Sequence, residues 1–555
     1  MMYFEAEDDL ADQLNHMITD EEIMAAEKIL GVHYSRSERP LMAPMLAKQI
    51  VLALARRHHT IDADASPATV FSPRLQGFVV RNRPSLHIPS LEWPPPEGDE
   101  EIAFAPIAAQ IGWIRNHQLT ARRLTEIYLN RSSRYGELLR CYARLNDHAL
   151  ERADALDRRA TDGTFAGPLH GIPYACKDII DTEGLITDWG AEPYRGRIPT
   201  RNAVVVQRLH DAGAILLGKS SVGALAHGDL WYGGQTRNPW NPEEGSSGSS
   251  AGSAAATAAG LCSFSLGTET YGSIILPSTR CGAVGFRPTF SRVSRTGTMA
   301  LCPSLDKIGL ITRTAHDAAL ILTVINGGDD ADVSSCDVPF SGNCGADPRT
   351  LRVGYVAADF VADGARPHDK AILDQCKALG VCLIERERAP LPYESLVSIL
   401  MAEAAAHFED LTLSNRDDLL TSQSATDWPN QFRAARFLSA VDHVQLDRLR
   451  RQAMVAMDYL FRDIDVLIGP SLAGPMLCAT NFTGHPCLSL PAYFIDPSER
   501  STHPVAATRT EPDSAVRTVP HSISLWSGLF DEAPMFALAS ALANQLGLNL
   551  RPPGF

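Results

Sequence analysis

Between Glu244 and Gly260 the chain reads EGSSGSSAGSAAATAAG, a run in which nothing after the glutamate is larger than threonine. A glycine- and serine-rich stretch of this kind is either a flexible linker or a close-packed element whose small side chains let backbones approach. The residues downstream decide between the two. The Ala-rich half, 252–260, leads into a short apolar run, CSFSLG (262–267), and then into a polar turn, GTETYGSIILP (267–277). That order predicts a rigid turn around 248–250, a tightly packing helix over 252–260, a strand, and a second serine-bearing turn folded back against the first.

The surrounding pattern places this unit inside an α/β domain. Apolar runs at IPYACK (172–177), AILLGK (214–219), LRVGYV (351–356) and DVLIGP (465–470) alternate with helical stretches such as 107–118, 120–131 and 147–159. Alternation sustained from residue 101 onward predicts a mostly parallel or mixed sheet with helices on both faces. Residues 1–100 read differently. Thr19 and Glu22 form a capping box ahead of a helix over 19–30 that Gly31 can end, and 45–59 reads as a second helix. The Pro- and Ser-rich stretch 62–100, ending in PPPEGDEE, reads as a linker or surface wrap. The first hundred residues are therefore expected to form a helical N-terminal extension and linker. The segments 327–350 and 495–521 read as long polar loops.

Whole-chain properties exclude several partners. The net charge of −15 is spread along the 555 residues, which argues against a nucleic-acid partner. No apolar run of ~18 residues occurs, so no segment is expected to span a membrane. The eleven cysteines are an odd number without a C-x-x-C pair, and the N-terminus is acidic and lacks an apolar core. Both features read as reduced thiols in a cytoplasmic protein.

Two motif matches are weaker than they look. Gly213 to Ser220, GAILLGKS, satisfies the P-loop pattern, but its central Ala-Ile-Leu-Leu reads as buried strand and leaves no turn of amides to cradle a phosphate. The expectation is a strand ending in a partly exposed Lys219. Gly248-Ser-Ser250-Ala-Gly252 satisfies G-x-S-x-G, yet a nucleophile elbow needs an apolar strand running straight into it, and NPWNPEE (238–244) stands there instead. An α/β-hydrolase-type esterase would also need a histidine from among His316, His407, His485 and His521. Each of these has the plainer role of a core or surface residue, so the esterase is kept as a remote alternative.

Upstream, His170-Gly-Ile-Pro-Tyr-Ala-Cys-Lys177-Asp178 brings a lysine to the end of an apolar strand. Alone, Lys177 beside Asp178 would be a surface pair. In company it is not alone: GPLHGIPYACKD (167–178), TRNPWN (236–241), GSSAGSAAATAAG (248–260), GTETYGSI (267–274), SLDKIGLITRTAHDAA (304–319) and TNFTGHPCLSLP (480–491) follow in one order. With these segments the chain resembles the amidase signature family over roughly 105–550. The resemblance implies a single large amidase-signature catalytic domain over 101–555, an α/β fold with a central mixed β-sheet covered by helices on both faces, and a Ser–Ser–Lys triad. Lys177 is the implied general base and Ser273 the implied nucleophile. Ser249, reached through a cis peptide, is the implied bridging serine. The backbone N–H groups of Thr270, Tyr271, Gly272 and Ser273 correspond to the oxyanion hole. No cofactor and no metal is implied.

The residue types suit that chemistry. An amide is a poor electrophile, so a hydroxyl must lose its proton as it attacks. A lysine accepts that proton only when neutral, which burial achieves by lowering its pKa from ~10.4 toward ~7–8. Asp178 must then point away from the ammonium. A hydroxyl can accept one proton while donating another, which suits Ser249 to a relay.

Three positions depart from the family's G-T-D-x-G-G-S-I-R pattern: Glu269 stands for Asp, Tyr271 for Gly and Ile275 for Arg. The Tyr271 ring either narrows the acyl site, stacks on an aromatic substrate or points outward. With no arginine next to Ser273, an uncharged or apolar acyl group is favoured. The expected activity is hydrolysis of a small-molecule linear amide by a stand-alone enzyme. The alternative is the A subunit of a glutamine-dependent amidotransferase, releasing ammonia from glutamine for a partner. In related amidases an N-terminal helical segment contributes to dimerisation, so a homodimer is expected. Met401, Phe408, Trp428 and Phe432 are candidates for a pocket wall, with core packing as the plainer role.

Overall fold

Short runs of apolar and β-branched residues, most of them covered on both faces, form the centre of the molecule. The computed structural model describes residues 18–59, 61, 65–81, 93–340, 347–499 and 518–555. The acidic start (1–17), parts of the Pro-rich stretch (62–64 and 82–92), Cys344 and most of the polar 495–521 segment lie outside the described residues.

The main sheet consists of β1 (Tyr142–Leu145), β2 (Pro173–Lys177), β3 (Ile215–Ser220), β4 (Phe264–Glu269), β5 (Val284–Arg287), β6 (Lys307–Thr312), β7 (Arg352–Tyr355), β8 (Cys382–Glu385), β9 (Val466–Pro470), β10 (Cys487–Ile495) and β11 (Val519–Trp526). Their spatial order is β1-β3-β2-β4-β6-β5-β10-β11-β9-β7-β8. β2 runs parallel to β3 and β4, and β7 runs parallel to β8 and β9. The remaining pairs are antiparallel, so the sheet is mixed, as expected. The five apolar runs of the sequence become β2, β3, β4, β7 and β9. β5, β6 and β10 carry no alternation signal because strands covered on both faces show no period-2 pattern, and β1 and β8 are four-residue strands at the two ends of the sheet, too short to show one. β11 begins at Val519, inside the stretch read as a loop, which is a correction to that boundary.

The helix between the two serine turns is Ala251–Ala258, and all of its residues are buried. It packs across β2, β3, β4 and β6. Its small side chains are a geometric requirement: a Cβ on Gly252 would lie 2.1 Å from the Cys141 carbonyl oxygen and 2.4 Å from Ser221 N. Buried hydroxyls along it are satisfied locally, with Ser253 Oγ donating to the Leu266 carbonyl at 2.9 Å.

The first described helix, Asp20–Leu30, has the anticipated capping box. Thr19 N donates to Glu22 Oε2 at 2.7 Å, Glu22 N donates to Thr19 Oγ1 at 3.2 Å, and Gly31 ends the helix at φ 67°. The second helix, Arg39–His58, starts earlier than the expected residue 45, because a proline in the first turn is compatible with a helix start. A buried Arg39–Glu27 pair at 2.7 Å joins the two, and Arg56 reaches Glu409 at 2.6 Å. Residues 65–81 lie along the sheet domain. Phe71 meets Phe290 edge-on at 5.1 Å, and Phe78 meets Phe530 at 6.0 Å. No helix among the described residues is long and apolar enough to cross a membrane.

Candidate active site

Two neighbouring parallel strands end at the same edge of the sheet, β2 with Lys177 and β4 with Thr268 and Glu269. Lys177 is fully buried. Its Nζ lies 2.8 Å from Ser249 Oγ, 2.7 Å from Thr268 Oγ1 and 3.3 Å from the Thr268 carbonyl oxygen. Burial pushes its pKa down to about 7, against the opposing pull of Asp306 and Glu269. Ser249 is 1% exposed, and the Gly248–Ser249 peptide is cis.

The turn that presents Ser249 is fixed from several sides. Ser247 adopts φ 61°, and its N–H donates to Asp229 Oδ2 at 2.9 Å. A Cβ at Gly248 would sit 1.8 Å from the Gly228 carbonyl oxygen, so only glycine fits. Ser250 turns to β4, where its Oγ donates to the Thr268 carbonyl at 3.0 Å and accepts from Thr268 N at 3.2 Å. Its own N–H donates to the Ser273 carbonyl at 3.0 Å, which ties the first serine turn directly to the second.

The second turn carries half-buried Ser273 into the helix Ile275–Cys281. Gly272 has φ 88°, a left-handed conformation that disfavours any Cβ. Glu269 Oε2 accepts from Ile274 N at 2.9 Å and from Ile275 N at 3.0 Å. Thr270 Oγ1 donates to Asp306 Oδ1 at 2.6 Å. The Tyr271 hydroxyl donates to Glu394 Oε2 at 3.0 Å, and its ring lies 6.3 Å from that of Phe482. Tyr271 thus leans toward the segment Tyr393–Leu396 and the helix Met476–Thr483.

Asp178 turns away from Lys177. Its carboxylate accepts from Asp188 N at 3.4 Å, and burial raises its pKa well above the usual range, opposed by Lys219. Lys219 corrects an expectation: it is fully buried rather than partly exposed. Its Nζ donates to the Ile180 carbonyl and, at 3.3 Å, to Thr182 Oγ1. The residues before it are strand β3, so the P-loop match has no phosphate-cradling loop. The G-x-S-x-G serine, Ser250, is bonded to backbone. His485 is bonded elsewhere, to Thr483 Oγ1 at 2.8 Å, and stacks on Phe461. Phe408, Trp428 and Phe432 are buried in a stack, with Trp428 and Phe432 at 4.9 Å and 10° between planes. Met401 packs half-buried against the same core. A cleft of about 200 Å³ lined by Tyr174, Thr182, His210 and Leu216 includes none of the serine and lysine residues above.

Sequence reasoning missed Thr268, Asp306 and the partners of Glu269. Thr268 could have been found from the strand pattern, since the parallel neighbour of a lysine-ending strand places its own last residues beside that lysine. Asp306 stands inside the SLDKIG segment. Its Oδ2 accepts from Leu301 N at 2.8 Å and Cys302 N at 2.9 Å, which no spacing announces.

Known proteins resemble this chain at both levels. The A subunit of a glutamyl-tRNA(Gln) amidotransferase from Hahella chejuensis is 41% identical over 233 residues, covering 41% of this chain. That match spans about half of the relative's length, 48%. The same-named protein of Exiguobacterium sibiricum is 30% identical over 431 residues, covering 69% of this chain and 89% of the relative. Among solved structures, native peptide amidase from Stenotrophomonas maltophilia superposes with a TM-score of 0.69 at 27% identity, covering 81% of this chain and 98% of that one. The sequence profile described as Amidase matches residues 123–487. With that match spanning more than half of its length, the chain belongs to the amidase signature family.

Proposed function

We propose that this protein hydrolyses the C–N bond of a linear carboxylic amide through an acyl-enzyme on Ser273. The observation that carries the reading is the fully buried Lys177 Nζ, 2.8 Å from Ser249 Oγ, with a pKa near 7. As a neutral amine, Lys177 has two N–H bonds and one lone pair. The two Thr268 oxygens can accept the N–H bonds, which leaves the lone pair for the Ser249 hydroxyl proton. Ser249 passes its proton to Lys177 and takes that of Ser273, whose Oγ adds to the amide carbonyl. The negative charge on the carbonyl oxygen is met by the N–H groups of Thr270, Tyr271, Gly272 and Ser273, a contribution of about 3 kcal/mol per donor. The next N–H groups along the chain, on Ile274 and Ile275, are already engaged by Glu269. The relayed proton returns to the departing amine, and water releases the acid by the reverse relay. Ser273→Ala should abolish release of ammonia or amine from a panel of aliphatic and aryl amides. Turnover that survives this substitution would refute the scheme.

The names of the curated relatives support a second reading, ammonia release from glutamine for a partner protein. Glutamine carries a carboxylate that needs a cation. Buried Arg287 is bound to Glu269 and Arg280 to Glu244, which favours an uncharged substrate. Activity on glutamine only with a second protein present would reverse that preference. We further propose that the chain is cytoplasmic and forms a homodimer through the 1–100 extension. Exposed Leu41, Met45 and Leu52 on Arg39–His58 support the dimer, and the free cysteines support the location. Light scattering that gives a monomer mass would remove the dimer.

A further inference from the structure

The two carboxylate oxygens of Glu269 face different parts of the molecule. Oε2 holds Ile274 N and Ile275 N, the N–H groups directly after Ser273. Oε1 accepts from Arg287 Nη1 at 2.6 Å and from Asn481 Nδ2 at 2.9 Å. Arg287 continues outward, with Nη2 donating to Thr480 Oγ1 and to the His485 carbonyl, each at 2.9 Å. Glu269 and Arg287 are both completely buried. They belong to β4 and β5, which are not neighbours, because β6 runs between them. The pair therefore reaches over a strand and links the serine turn to the helix Met476–Thr483.

A buried ion pair often does no more than join two elements, but this one differs in where its free oxygen points. A carboxylate oxygen that accepts two consecutive backbone N–H groups fixes the plane of both peptides. The first of those peptides leaves Ser273 and the second follows it, so their orientation bears on that of the serine and of the turn before it. Sequence proximity could not reveal this, because Arg287 and Asn481 lie on other elements. Burial works to raise the Glu269 carboxyl, but Arg287 and the hydrogen bonds from Ile275, Asn481 and Ile274 together hold it below the usual carboxylate range.

We propose that Glu269, braced by Arg287 and Asn481, is a positioning residue for the nucleophile turn and makes its geometry depend on the Met476–Thr483 helix. The proposal rests on Ser273 being the nucleophile. Reach matters as well as charge. An aspartate at 269 keeps the charge but falls about 1.5 Å short, one C–C bond. Glutamine keeps the reach and an acceptor but leaves Arg287 uncompensated.

The test is kinetic and is normalised to the number of reactive serines, counted by labelling with a fluorophosphonate. Glu269→Asp should lower kcat by about 100-fold with KM within about threefold, the signature of misplaced reacting groups. Glu269→Gln should lie between it and wild type. Asn481→Ala leaves the Glu269–Arg287 pair in place and should lower kcat by about tenfold. Affinity for a trifluoromethyl ketone, which presents an oxyanion, should fall by the same factor as kcat in each variant. If the Glu269 variants fail to fold, Asn481→Ala decides. Unchanged kcat per labelled serine in Asn481→Ala, with only a lower melting temperature, would overturn the positioning role and leave a structural ion pair. A wild-type chain that neither labels nor turns over amides would instead overturn the reading of Ser273.

Discussion

Lys177 and Lys219 stand side by side in the sheet, yet their surroundings differ. They lie on parallel strands one register step apart, with Cys176 opposite Lys219 and Lys177 opposite Ser220. Strand alternation sends the two side chains to opposite faces. Both are fully buried. Lys177 meets two hydroxyls, Ser249 and Thr268, while Lys219 meets a carbonyl and the Thr182 hydroxyl, with Asp178 as the acid it acts on. A burial map alone would rank the two lysines equally. What separates them is that one hydroxyl beside Lys177, that of Ser249, stands on a turn tied directly to the turn of Ser273.

The comparison can be broken most directly by Lys177→Met. Loss of the proposed general base should reduce kcat/KM by about 10³–10⁴-fold, measured with the best amide of the panel. The same substitution should not destabilise the fold at neutral pH, because it removes a buried group whose charged form is disfavoured there. The proton linkage gives the next largest effect. In the folded state Lys177 titrates near 7, below its ordinary 10.5, so between these values the unfolded chain binds more protons. Stability from this group therefore rises with pH, by about 1.4 kcal/mol per unit across that window, and changes little below pH 7. Denaturant melts at pH 7 and pH 9 should show the gain in wild type and not in Lys177→Met. Activity should run in the same sense, with kcat/KM falling about tenfold per pH unit below 7.

Lys219→Met should do the reverse of Lys177→Met. It leaves the Ile180 carbonyl, the Thr182 hydroxyl and Asp178 without their cation. Unfolding free energy should drop by about 1–3 kcal/mol while kcat stays within a few-fold of wild type. Equal activity losses in the two lysine variants would erase the distinction. The smallest effect is expected from Tyr271→Phe, which removes one hydrogen bond to exposed Glu394 and should alter KM by less than about fivefold. A larger change would mean that the hydroxyl itself touches substrate.

Lys177, Ser249 and Ser273 were singled out through the family resemblance of the short segments that carry them, and several glycines of those segments are required by a close approach. Gly248 against Gly228 is one case and Gly252 against Cys141 is another. Helix Asp20–Leu30 was legible because its cap is local, built from Thr19, Glu22 and Gly31. Arg287 and Asn481 were not, because they meet Glu269 only after the sheet has closed. The burial of Lys219 was hidden for a related reason. A lysine at the end of an apolar strand reads as exposed unless the loop carrying Ile180 and Thr182 is known to cover it. The strands β10 and β11 show the same limit at larger scale, since their pairing partners and not their own pattern fix their faces.

The all-buried helix Ala251–Ala258 has a consequence for how this gene tolerates variation. Eight consecutive positions can accept almost no increase in volume, and Gly252 accepts none. In a library varying each codon in turn, this stretch would score as an unbroken intolerant block, with Lys177 and Ser273 as isolated intolerant points outside it. A survey of missense variants would therefore mark the helix as the most constrained segment of the chain, although none of its side chains takes part in the proposed chemistry.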